Sequence, residues 1–228
     1  MLKEKWKKRF NRWFKLRFAI LYPLGVWTVL SQYSTDASMR RSIWFILIGL
    51  SIRAWANFYA IKTDKLTTSG PYAYVRHPLY LGTFFIFSGF LIMLKLHWLL
   101  SLVLIFVFTF VVYGRKIKQE EQLLLKKFGS AYVEYQKAVP GFLFTFKPFK
   151  GGEKWAGSFQ RYFVSQEYKL LVWILILVVV FHMKEEYIIE GENVLKLKNI
   201  FILTGAAFLG ALDVIISGIL KKYKRRIQ

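Results

Sequence analysis

The chain has 228 residues, 55% of them hydrophobic, with 22 Phe, 13 Tyr and 8 Trp, and a formal charge of +21. That apolar and aromatic load suits a bilayer better than a water-facing globule. The absence of Cys excludes disulfides, thiolate metal sites and Cys nucleophiles. On a soluble protein the charge would point to nucleic acid, but no groove-reading motif accompanies it.

Residues 1–17 are basic and aromatic, and they read as an interfacial helix rather than a signal peptide, because the apolar run after them lacks a small-residue cleavage site. Six apolar runs are expected to span, at roughly 18–33, 42–60, 79–94, 98–114, 168–183 and 199–220, against the roughly 20 residues a spanning helix needs. The third is short and forms a tight hairpin with the fourth across Lys95-Leu96-His97; the 168–183 run is also marginal. With a cytoplasmic N-terminus, the inside segments (1–17, 62–77, 115–167, 221–228) hold 26 Lys and Arg, and the outside ones (34–41, 95–97, 184–198) hold 6. The positive-inside rule then places both termini in the cytoplasm, of a bacterial inner membrane or an ER-type membrane, and the basic excess attracts anionic lipid. The expected fold is all-α: a polytopic integral membrane protein with about six transmembrane helices and a cytoplasmic amphipathic helix. Its expected units are an interfacial helix and two spans (1–62), a central core (63–150), and a connector with two further spans (151–228).

Arg53 lies inside the second run, where a charge either finds a partner or snorkels to the nearby cytoplasmic end; Asp213 in the last run is one possible partner. The segment Ser69-Gly-Pro-Tyr-Ala-Tyr-Val-Arg-His-Pro-Leu-Tyr-Leu-Gly82 carries more chemistry than a loop needs. Pro78 biases His77 towards extended backbone, so a helix should begin at about Pro78. Its free N–H groups and positive dipole end would lie beside Arg76 and His77, an arrangement suited to the carboxylate or phosphate of an anionic cofactor. From Arg115 to Val139 a charged helical segment repeats Leu124, Phe128, Tyr132, Tyr135 and Val139 at spacings of three and four, one apolar face. Gly129 should break it and Pro140-Gly141 end it. Lys116 and Glu120, four apart, share a side of that helix. Glu185, Glu186, Glu190 and Glu192 read as a solvated acidic surface. From spacing alone, the charged helix is equally readable as an interfacial helix with solvated charges.

Taken together, Leu66-Thr-Thr-Ser-Gly-Pro-Tyr72, Val75-Arg-His-Pro-Leu-Tyr-Leu-Gly82, Glu120-Glu121, Phe128-Gly129, Tyr132, Tyr135 and Val139-Pro140 resemble the isoprenylcysteine carboxyl methyltransferase family and its phospholipid methyltransferase relatives. The similarity runs from about Leu47 to Pro148 and includes Arg53-Ala-Trp-Ala; two separated motifs in the right order make it specific. It implies a polytopic enzyme that transfers a methyl group from S-adenosylmethionine (SAM) to a lipophilic acceptor, a lipid headgroup or a prenylated or isoprenoid-like small molecule. No metal is implied. Carried over by position, the cofactor contacts are Asp64, Lys65, Leu66, Thr67, Tyr72, His77, Pro78, Leu79, Tyr80 and Glu120, with Arg76 beside them. Lys116 takes the acceptor-contacting position, which is Arg in the prenylcysteine enzymes, and Arg115 adjoins it. Arg grips a carboxylate with two prongs whereas Lys offers a point charge, so the exchange bears on which acceptor is used. An amine or hydroxyl acceptor would need a base, and His77 or Glu121 are the nearby candidates. The alternatives are a membrane reductase of the sterol-reductase type using NADPH, for which no added nicotinamide motif is present, and a non-enzymatic membrane scaffold.

Overall fold

A computed structural model describes residues 31–32, 34–60, 65–152, 154, 156–188, 191 and 196–227. The expected interfacial helix, all but residues 31–32 of the expected first span, Asp64, Glu190 and Glu192 fall outside the described residues. Within them the chain is helical with no strand. The helices are α1 (Asp36–Tyr59), α2 (Pro78–Met93), α3 (Trp98–Phe106), α4 (Gly114–Phe128), α5 (Ser130–Ala138), α6 (Phe159–Val164), α7 (Tyr168–Ile188) and α8 (Leu197–Ile227). A 3₁₀ turn at Gly70–Ala73 precedes α2, and a π-helical stretch at Val107–Tyr113 joins α3 to α4 in one rod.

Among the described residues three helical segments are long and apolar enough to cross a membrane: Asp36–Tyr59, Trp98–Phe128 and Lys198–Ile219. The 79–94 run becomes α2, apolar but only 16 residues long. The 168–183 run becomes α7, which is 21 residues long. Lys169 at one end and Lys184, Glu185 and Glu186 at the other leave it an uncharged stretch well short of a full span.

α1 and α2 form the central pair, and small residues set their separation. Ser42, Gly49 and Ala56 recur every seven residues on α1 and are buried, as are Gly82 and Gly89 on α2. A Cβ at Gly49 would sit 2.5 Å from the Gly82 carbonyl oxygen, and one at Gly89 would sit 2.7 Å from Ile46 Cγ1. The backbones therefore approach as closely as small-residue interfaces in membranes allow. Ser38 donates to the Met93 carbonyl (3.0 Å), closing the far end of the pair. Ile46 and Ile86 form a core cluster with Ile174 of α7.

Glu185 and Glu186 are buried, at 5% exposure each, and so are not the solvated surface expected of them. Glu185 Oε1 accepts the Asp36 N–H (2.5 Å) at the start of α1, where the helix dipole favours a carboxylate. Glu186 pairs with Lys198 (2.5 Å) and with His182 (3.3 Å), tying α7 to α8. Local charge composition gave no indication of these tertiary partners.

Candidate active site

The site begins at the end of α1. Gly70 has φ +62°, and a side chain there would collide with the Tyr59 ring, so glycine permits the turn to pack against α1. The chain then runs through Tyr72 and Tyr74 to Arg76 and His77. Arg76 N–H donates to the Pro140 carbonyl (2.9 Å) and His77 N–H to the Gly141 carbonyl (3.2 Å), so the segment that ends α5 clamps the backbone before α2. Further along, Thr145 N–H bonds to Tyr74 O (3.0 Å) and Phe149 N–H to Ala73 O (2.9 Å). Pro78 is the first residue of α2, as its sequence signature requires. The expected array of free N–H groups is smaller than anticipated, because Tyr80 and Leu81 both donate to the His77 carbonyl (3.1 Å each).

Gly129, at φ +53°, separates α4 from α5 without breaking the apolar face. Tyr132, Tyr135 and Val139 are buried together, with Leu66, Leu124, Phe128 and Phe149 packed around them. Tyr135 donates to the Tyr72 carbonyl (2.6 Å). Burial pushes the Tyr72 and Tyr135 hydroxyls well above the ordinary tyrosine range, so both stay protonated.

Between these walls lies a cavity of about 510 Å³, a size typical of small-molecule sites. Of the residues singled out from sequence, Lys65, Leu66, Thr67, Tyr72, Arg76, His77, Pro78, Leu79, Tyr80, Lys116 and Glu120 all line it. Arg115 and Glu121 are not on its wall. Arg53, Ala60, Thr83, Tyr113, Leu124, Lys127, Phe128, Tyr132 and Tyr135 complete the lining. Of these, the apolar and aromatic period pointed to Leu124, Phe128, Tyr132 and Tyr135, and the charge within an apolar run to Arg53; no sequence signal pointed to Tyr113. It reaches the wall through the π-helical stretch, which re-registers the rod and sets its ring 4.7 Å from that of Tyr80.

Charge is organised around two adjacent carboxylates. Tyr80 donates to Glu120 (2.6 Å), which is half exposed towards the cavity. Glu121 turns away onto Arg76 Nη2 (3.1 Å) and His77 Nε2 (3.2 Å). Burial pushes the His77 pKa below its usual value, outweighing the hydrogen bond and charge of Glu121. A carboxylate only accepts, so the single proton of a neutral imidazole belongs on Nε2. Nδ1 lies 3.8 Å from Glu120. Arg76 Nε and Nη1 are buried with no hydrogen-bond partner among the described residues. Unsatisfied buried donors beside a cavity suit an anionic group of a ligand. Lys116 Nζ lies 6.0 Å from the centre of the Tyr113 ring.

Arg53 does not meet Asp213, which is buried beside Tyr168 instead. It forms an ion pair with Glu167 (2.6 Å) and also donates to Leu79 O (3.1 Å) and Thr83 Oγ1 (2.5 Å). Opposite charge identified the wrong partner because helix packing, rather than sequence, determines which carboxylate comes within reach.

Residues 43–126 match the isoprenylcysteine carboxyl methyltransferase family. A protein-S-isoprenylcysteine O-methyltransferase of Schizosaccharomyces pombe is 33% identical over 124 residues, 49% of this chain and 50% of that protein. One of Xenopus laevis is 29% identical over 164 residues, 62% of this chain and 55% of that protein. The chain thus spans about half the length of these curated relatives. No solved structure matches it. The stretch that builds most of this cavity is thus the one that is similar to the isoprenylcysteine carboxyl methyltransferase family.

Proposed function

We propose that the protein is a membrane-embedded methyltransferase that uses SAM and acts on a lipophilic acceptor, a prenylated cysteine or a lipid headgroup. The observation that carries this reading is one cavity that gathers buried guanidinium nitrogens of Arg76 with no hydrogen-bond partner among the described residues, a ring of tyrosines and a half-exposed carboxylate. These residues fit the cofactor's chemistry. Arg76 would hold its carboxylate, Glu120 an amino or hydroxyl group, and the faces of Tyr72, Tyr80 and Tyr113 its cationic sulfonium. When bound, SAM supplies an electrophilic methyl group for in-line displacement, a reaction that depends chiefly on alignment of the two partners.

Lys116 and Lys127 place positive charge on the same wall, where they would orient an acceptor bearing an anionic group. Glu121 holds Arg76 and His77 in place and keeps the imidazole proton on Nε2. The neutral His77 Nδ1, beside the cavity, is the group placed to accept a proton from an acceptor that carries one.

The test is calorimetric titration of the detergent-purified protein with SAM and, separately, NADPH. Saturable SAM binding with no NADPH binding is expected, followed by transfer of labelled methyl into prenylcysteine or a total lipid extract. NADPH binding alone would favour the reductase, and binding of neither would favour a scaffold.

A further inference from the structure

Arg53 and Glu167 join parts of the chain that the family match separates. Arg53 sits on α1 within the matched stretch, and Glu167 sits beyond it, at the junction of α6 and α7. Glu167 Oε2 accepts from Arg53 Nε (3.2 Å) and Nη2 (2.6 Å). Nη1 of the same guanidinium donates to Leu79 O and Thr83 Oγ1, and Thr83 Oγ1 donates back to Leu79 O (2.8 Å). The Leu79 carbonyl, in the first turn of α2, is therefore the end point of a chain of hydrogen bonds that starts at Glu167. His77, Pro78, Leu79 and Tyr80 of that turn all line the cavity. Both charged side chains are about four-fifths buried, and a planar fork held on several partners fixes direction as well as distance. The connector supports the same frame: Ser158 N–H bonds to Phe58 O (2.9 Å), and the Phe58 and Phe159 rings meet at 4.8 Å.

We propose that Glu167 is a positioning residue for the cavity. By holding the Arg53 guanidinium from the α6–α7 junction, it fixes the first turn of α2 and makes the C-terminal part of the chain a component of the site. Its binding readout rests on the methyltransferase reading; its structural readout does not.

The experiment compares the full-length protein with Glu167→Gln, Arg53→Gln and the double variant. Removing one charged partner of a hydrogen-bonded pair should raise the Kd for SAM about tenfold in Glu167→Gln, with kcat at saturating SAM little changed. Glu167 acts through Arg53, so the double variant should bind no more weakly than Arg53→Gln alone. Hydrogen–deuterium exchange should accelerate several-fold across residues 78–84 in Glu167→Gln, with α8 unaffected. Unchanged exchange at 78–84 overturns the proposal whatever SAM does, and so does a Glu167→Gln effect that persists undiminished in the Arg53→Gln background. Absence of SAM binding by the unmodified protein would instead sink the methyltransferase reading and leave the exchange result as the deciding one. If Glu167→Gln fails to accumulate, Glu167→Asp, which withdraws the carboxylate by one methylene, carries the same expectations at smaller size.

Discussion

His77 holds one proton in a place where protonating it again is costly, and this gives the site a pH dependence with a definite sign. Its folded-state pKa is lowered by burial, whereas the unfolded chain takes up the proton near pH 6.5. Between those values the unfolded state binds more protons, so stability present above about pH 6.5 is lost as the pH falls through the lowered value. The melting temperature should decline on acidification from pH 7 to 5, and part of that decline should be absent in His77→Gln. An identical pH profile in the variant would remove His77 from this role. Lys116 and Glu120 offer a second test at this scale, since they share a helix side and a cavity wall. Glu120→Ala should weaken SAM binding about tenfold or more. Lys116→Ala should instead cost methyl transfer by a similar factor with SAM affinity nearly intact. Calorimetry paired with labelled-methyl assays measures both, and equal loss of SAM affinity in the two variants would contradict the division.

At the scale of elements, the α1–α2 contact fixes the position of the cavity floor. A Cβ on Gly82 would lie 2.6 Å from Arg53 Cγ and 2.7 Å from the Gly49 carbonyl oxygen, so Gly82→Ala must separate the helices or displace Arg53. Overpacking of this kind costs about 1–3 kcal/mol, and the same displacement should weaken SAM binding. Gly205 on α8 has nothing within 4 Å of its Cβ position, and Gly205→Ala should be neutral or slightly stabilising through helix propensity. Thermal unfolding in detergent distinguishes them; equal effects would mean that the close approach carries no energetic weight. The π-helical stretch belongs to the same scale, because it brings Tyr113 to the cavity from a rod whose composition reads as an ordinary span.

For the whole molecule, the basic asymmetry proposes that the connector faces the cytoplasm and the α7–α8 end the opposite side. The chain has no Cys, so single-Cys labelling reports each position without interference. Tyr187 and Lys150 are both exposed. In intact cells an impermeant reagent should label Tyr187→Cys and should leave Lys150→Cys unlabelled until the membrane is permeabilised; the reverse pattern would invert the proposed orientation. The expected boundary at residue 62 runs through the site, since Arg53 and Ala60 line the same cavity as the residues that follow.

The sequence by itself determined the features that depend on neighbours along the chain. These include the helical character, the start of α2 at Pro78, the break at Gly129 and the spacing that groups Tyr132, Tyr135 and Val139. Its resemblance to a known family, carried by two separated motifs, also brought together most of the cavity residues. Tertiary structure alone decided the pairings between distant segments: Arg53 with Glu167 rather than Asp213, Glu121 with Arg76 and His77, and the burial of Glu185 and Glu186. The physical reason is the range of each effect. Backbone propensity and helical periodicity act over one or two turns, whereas a charge pairs with whichever opposite group the packing of α1 against α2 and α7 brings within about 4 Å.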